Sequence, residues 1–133
     1  MPRASGPFEV SLKPLPMDNE PGSDLLGRMS IEKQFRGDLE GTSKGQMLTG
    51  GTAIKNSAGY VAIERVTGSL KGRNGSFILQ HTGLMNRGAP SLVITVVADS
   101  GTDQLEGLKG TMTINIEAGK HSYQLDYTFA DRA

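Results

Sequence analysis

A few side chains able to carry protons or hold a polar ligand recur at even spacing along this sequence. In Phe77-Ile78-Leu79-Gln80-His81, strict alternation puts the imidazole on the face of Phe77 and Leu79. In Tyr60-Val61-Ala62-Ile63-Glu64-Arg65-Val66, Glu64 shares a face with Tyr60, Ala62 and Val66. A third face carries His121, Tyr123, Leu125, Tyr127 and Phe129. Each is the apolar face of its run, so each is expected to turn inward. Polar groups few in number on mostly apolar walls are the usual form of a small-molecule site. Burial there would shift the pKa of a carboxyl or imidazole and fit it to move a proton. The expected ligand contacts are Tyr60, Glu64, His81, Tyr123 and Tyr127. Glu64 and His81 are the catalytic candidates, with Ser100 and His121 nearer a rim.

The same residues have a plainer reading. A buried histidine beside a carboxylate is commonly a satisfied structural pair, and tyrosine rings often fill a small barrel with their hydroxyls bonded at its edge. No metal site is expected. His81 and His121 are far apart in the chain, no H-x-H or H-x-x-x-H brings two ligands together, and cysteine is absent. No cofactor is expected either, because neither G-x-G-x-x-G nor a Walker sequence occurs. Gly41-Thr42-Ser43-Lys44-Gly45 matches G-x-S-x-G, but that motif needs a strand, a sharp turn and a helix. The following Gln46–Ile54 reads as strand, so Ser43 is no nucleophile.

The scaffold must come from 133 residues, enough for one domain spanning 1–133. Fourteen basic residues balance fourteen acidic ones. Neither nucleic acid nor an anionic membrane is therefore an expected partner. The opening Met1–Val10 has no apolar h-region and no run is long enough to span a bilayer, so the expectation is cytoplasmic.

Five of the six prolines fall within the first 21 residues. Proline cannot donate to a ladder. Residues 1–26 therefore read as an arm with one short strand, Phe8–Leu12, and 27–130 as a meander. Met29, Ile31, Lys33 and Phe35 alternate with polar residues at period two. Gln46–Ile54, Tyr60–Leu70, Phe77–Leu84, Leu92–Ala98, Leu108–Ile116 and His121–Phe129 complete the runs, separated by glycine-rich turns. Asn74-Gly75 is the strongest hairpin signal, since a type I′ turn needs two positive φ angles. That turn pairs Arg73 with Ser76, sets Gly68 opposite His81, and allows Glu64 and His81 only a diagonal contact. A repeat, Gly37-Asp38-Leu39-Glu40-Gly41 and Gly68-Ser69-Leu70-Lys71-Gly72, suggests equivalent strand bends. Eight antiparallel strands can close into an up-and-down barrel with room for side chains or one small ligand. The fold class is all-β.

Several stretches also resemble the signature of a bacterial domain-of-unknown-function family. They are Tyr60 through Arg73, Gly75-Ser76-Phe77, Gln80-His81-x-Gly83, Ser100-Gly101-Thr102, Leu105-x-Gly107-Leu108-x-Gly110 and His121-x-Tyr123-x-Leu125-x-Tyr127. The likeness runs from Phe8 to Phe129. It implies an allene oxide cyclase-like barrel, lipocalin-like in shape, around a cavity. It implies no activity, since fold is not function. Leu12 stands where that pattern often has an aromatic, and Ala98-Asp99 where it has Pro-Gly. Both departures bear on the shape of one barrel mouth.

Three functions follow as expectations. The first is binding of an apolar or amphipathic small molecule in the interior. The second is an isomerase or cyclase acting on a hydrophobic substrate without metal or nucleotide, with Glu64 or His81 shuttling a proton. The third is a packed structural or homo-oligomerisation module, with Ile63, Ile78 and Ile94 supplying an outer apolar patch.

Overall fold

The computed structural model describes residues 2–17 and 25–130. It contains β1 (Arg3–Leu15), β2 (Leu26–Phe35), β3 (Leu39–Gly51), β4 (Ala58–Leu70), β5 (Arg73–Asn86), β6 (Ala89–Val96), β7 (Leu108–Glu117) and β8 (Lys120–Phe129). A short 3₁₀ turn, Asp103–Leu105, precedes β7. Each strand pairs antiparallel with the next and β8 returns to β1, so the sheet closes into an eight-stranded up-and-down barrel. The fold is the one that alternation and turn spacing predict.

The two ends differ. Leu39, Leu70, Leu105 and Leu108, all at most 1 % exposed, seal the end that carries the β2–β3, β4–β5 and β6–β7 connections. Phe35, Phe77, Leu79 and Leu125 pack above them. Toward the opposite end, residues of inward parity stay open to solvent, among them Leu12, Leu92 and Ile116. The wall is also split there. β6 and β7 pair only at Ile94↔Met112 and Thr95↔Thr111, so Ala89–Val93 and Thr113–Glu117 diverge without a ladder between them.

The glycine repeat is one antiparallel contact. Leu39 pairs with Leu70 and Gly41 with Gly68, and Gly68 pairs in turn with Gly75. These glycines form a crease across β3, β4 and β5. A Cβ on Gly68 would lie 2.6 Å from Gly41 Cα and run into the Glu40 carbonyl.

The register differs from the sequence expectation for a related reason. The β4–β5 turn is Lys71-Gly72, with φ of 47° and 87°, and Leu70 faces Arg73. Asn74-Gly75 is strand, because Gly75 belongs to the crease, where the Thr102 carbonyl occupies the place of a side chain. His81 consequently faces Ala62, and Glu64 faces Leu79.

Three further expectations need correction. The proline-rich arm is largely a 13-residue strand. β1 pairs with β8 over Arg3–Phe8 and with β2 over Phe8–Leu15. Pro7 turns its carbonyl toward Arg36 and away from β8, so its missing N–H breaks no β1–β8 bond. The loop reading around Pro21 lies outside the described residues. β3 begins at Leu39 and takes in the whole Gly41–Gly45 segment. The outer isoleucine patch does not form, since Ile94 points inward and is buried. Ile78 lies under the loop after β6, whose Ser100 hydroxyl accepts its N–H. Ile63 alone of the three remains exposed.

Gly68→Ala is expected to lower unfolding free energy by about 3 kcal/mol through overpacking against backbone. Gly72→Ala, at positive φ with open space around it, should cost only about 1 kcal/mol. Urea unfolding of both variants checks the order, and equal costs would mean that the crease is not tight.

Candidate functional site

Four adjacent strands each aim one polar side chain at the same point inside the barrel. Lys33 of β2 lies opposite Ser43 of β3. Glu64 of β4 lies opposite Gly45, and His81 of β5 sits on the diagonal from Glu64, one step past Leu79. Gly45 has no side chain to compete for the space, since a Cβ there would lie 2.6 Å from Glu64 Cα. The carboxylate therefore leans freely among three donors. His81 Nε2 is 2.5 Å from Glu64 Oε2. Lys33 Nζ donates to the same oxygen at 2.8 Å, and Ser43 Oγ donates to Oε1 at 2.8 Å.

All four residues are buried, Glu64 completely. Burial alone would raise the carboxyl pKa, but the His81 hydrogen bond and the Lys33 charge and hydrogen bond outweigh it. The result is a pKa of about 2 against an ordinary 4.5. Glu64 is thus an anion at neutral pH and only accepts hydrogen bonds, so the proton between it and His81 sits on Nε2. Lys33 also stands 5.3 Å from the Phe8 ring centroid and 5.8 Å from that of Phe35, where the ring faces favour a cation.

Tyr60 is the bridge from this network to the open end. Its ring centroid is 6.5 Å from that of His81, and it lies flat over Gly83, where a Cβ would strike the ring. Burial first, and the Glu64 charge second, push its phenol pKa up. On its far side is a cleft of about 330 Å³ lined by Thr49, Tyr60, Met85, Pro90 and Leu92. Its walls come from β3, β4, β5 and β6. Its size falls within the range of small-ligand sites. Neither the Tyr60 hydroxyl nor His81 Nδ1 has a hydrogen-bond partner among the described residues, and neither is sealed from solvent.

The other expected site residues lie elsewhere. Tyr123 is buried, but its hydroxyl donates to Arg36 O at 2.7 Å and accepts from Leu39 N at 2.8 Å. It clamps the β2–β3 turn. Tyr127 packs edge-on against Phe129 near the sealed end. His121 does stand toward the open end, half-buried, with its ring 5.2 Å from that of Phe8. Ser100 is on the outer face, bonded to Ile78 N, and shares no rim with His121. Among the described residues no three His, Asp or Glu side chains converge as metal ligands.

Lys33 and Ser43 were not foreseen. Lys33 could have been, since it shares parity with Met29, Ile31 and Phe35, and a lysine on an apolar face demands a buried partner. Ser43 follows from the strand that begins before it.

Fold and site together define a small closed barrel with one sealed end and one split end, and a buried Lys–Glu–His network between them. The chain belongs to the family described as "Protein of unknown function (DUF3224)", which matches residues 4–127. It is similar to a solved structure of a protein of unknown function from that family in Shewanella oneidensis MR-1. That protein is 47 % identical over 99 % of each chain, with a TM-score of 0.93. No curated protein matches the chain. No helix among the described residues is long and apolar enough to cross a membrane.

Because the folded pKa of Glu64 is depressed, its contribution is complete above pH 4.5 and fades as pH falls through 2. The amount is about 3 kcal/mol by linkage. Wild type should lose that stability across this window relative to Glu64→Gln, measured by urea midpoints at each pH. At neutral pH, Lys33→Met should cost at least about 3 kcal/mol by leaving a buried carboxylate short of its counter-charge. The double variant Lys33→Met/Glu64→Gln should recover a large part of that loss. A double variant as unstable as the sum of the singles would show that packing, not the unpaired charge, sets the cost.

Proposed function

We propose that this protein binds an apolar or amphipathic small molecule at the split end of its barrel. The ligand's apolar part occupies the Thr49–Leu92 cleft and its polar end reaches past Tyr60 toward His81. The carrying observation is an apolar cleft lined by Tyr60, whose hydroxyl makes no hydrogen bond to the described residues, with His81 one ring farther in and its Nδ1 likewise without a protein partner. The sealed half supports a site at the mouth better than one in the deep interior, because aromatic and leucine side chains already fill it. Tyr123 and Tyr127 are accordingly structural in this reading. An allene oxide cyclase-like barrel, cytoplasmic and of bacterial type, is consistent with it.

A second reading, an isomerase or cyclase, rests on the Glu64–His81 pair. A carboxylate with a pKa near 2 is a poor base at neutral pH. Glu64 would therefore orient the imidazole, and His81 Nδ1 would take the proton.

Titration with the neutral dye N-phenyl-1-naphthylamine, whose N–H can donate, read by fluorescence, tests the binding site. Leu92→Arg, at the half-exposed lip, should weaken binding at least tenfold. Val93→Arg, on the outer face of the same strand, should leave it within twofold. Loss only in Val93→Arg would move the site to the outside of the barrel, and no dye binding to wild type would remove it.

A further inference from the structure

We infer that the site selects uncharged ligands whose polar end donates a hydrogen bond, such as an alcohol or phenol, over carboxylates and over pure acceptors. This rests on the cleft reading above and adds the chemistry of its polar end.

The selection follows from how the protons of the network are already committed. Glu64 Oε2 receives both His81 Nε2 and Lys33 Nζ. One anion and one cation thus neutralise each other inside the wall. In the neutral imidazole the single proton sits on Nε2, facing Glu64, which only accepts. Nδ1 then presents a lone pair, an acceptor with nothing to accept. Only a donor satisfies it, so a ligand that displaces water from Nδ1 without donating to it leaves the acceptor unmet.

Lys33 cannot rescue an anion. Its ammonium is held by Glu64 and by the rings of Phe8 and Phe35, on the β1–β2 side of the barrel, whereas the cleft lies along β3 to β6. A ligand carboxylate at the cleft's inner end would meet the Nδ1 lone pair and the Glu64 anion behind it. The Tyr60 hydroxyl is free to donate or accept and so tolerates either ligand. Discrimination falls to His81. An ether fills the same apolar space as its parent alcohol but supplies no donor, so it isolates the Nδ1 bond from hydrophobic burial.

The experiment is calorimetric titration of the intact chain with n-decanol, its methyl ether and decanoate at pH 8. n-Decanol should bind about tenfold more tightly than the ether and decanoate, the scale of one good hydrogen bond. In parallel, nitrogen NMR of the imidazoles should show His81 Nδ1 unprotonated and moving toward the bonded position when decanol is added. Equal binding of decanol and ether would overturn the inference while leaving the cleft intact. So would decanoate binding as tightly as decanol, or a His81 protonated at both nitrogens. Binding of none of the three would remove the cleft reading itself and the inference with it.

Discussion

Everything inside this barrel is arranged around one carboxylate. Glu64 is fully buried and takes hydrogen bonds from three side chains on three other strands. A charge in that position is tolerable only when it is both neutralised and fully hydrogen-bonded. Such a group contributes little net stability compared with an apolar replacement, but it makes wrong registers expensive. A one-residue slip of β2, β3 or β5 would carry its donor to the outer face and strand the anion. The network therefore ties four consecutive strands to one alignment, in a sheet whose many glycines would otherwise fix register weakly.

Those glycines solve a different problem. A barrel this small must bend its strands sharply, and backbones then approach closer than a Cβ allows. Gly41, Gly68 and Gly75 stand side by side at one such crease, and Gly45 makes another beneath Glu64. The second crease positions chemistry as well as backbone, because the missing side chain leaves the volume the carboxylate and its donors share. Bending and polar clustering are thus consequences of the same residue choice. The sealed half carries the dense packing and the Tyr123 clamp. The split half, where β6 and β7 lose their ladder, is left with exposed apolar side chains and fewer restraints.

Alternation made most of this legible from sequence. The strand number, the closed barrel and the inward parity of Glu64, His81, Tyr60 and Tyr123 all follow from period two and turn composition. Parity is a local property, and it survives errors elsewhere. Register is not local. Lys71-Gly72 and Asn74-Gly75 both supply turn chemistry, and the choice between them depends on a crease formed with β3 and with the Thr102 loop. Neither partner is adjacent in sequence. The places of Tyr127 and Ser100 were not legible for the same reason: parity says which side of the sheet a residue faces, not which end of the barrel it occupies. The proline-rich arm reads as loop only on the assumption that a strand has two paired edges along its whole length. β1 changes neighbours at Phe8, so Pro7 pairs with β8 on one edge while its other edge, where the N–H would point, lies beyond the end of the β2 ladder.

The network also divides labour between its two titratable candidates. Holding Glu64 near a pKa of 2 makes it a dependable anion and, for that reason, an ineffective carrier of protons at neutral pH. The stabilisation that keeps it charged is the same energy a proton must overcome to reach it. His81 is in the opposite condition: one nitrogen is committed to the carboxylate and the other is uncommitted. A carboxylate that fixes the imidazole tautomer is a recurring way to present the second nitrogen as an acceptor of defined direction. On the proposed reading, whether that acceptor only recognises a ligand or also removes its proton is decided by what stands beside it. Here that neighbour is Tyr60, a half-buried phenol whose pKa is raised, and a phenol held neutral in this way can donate to a ligand but gives up its proton less readily than one in water. On that reading the arrangement is better suited to holding a hydroxyl than to ionising one.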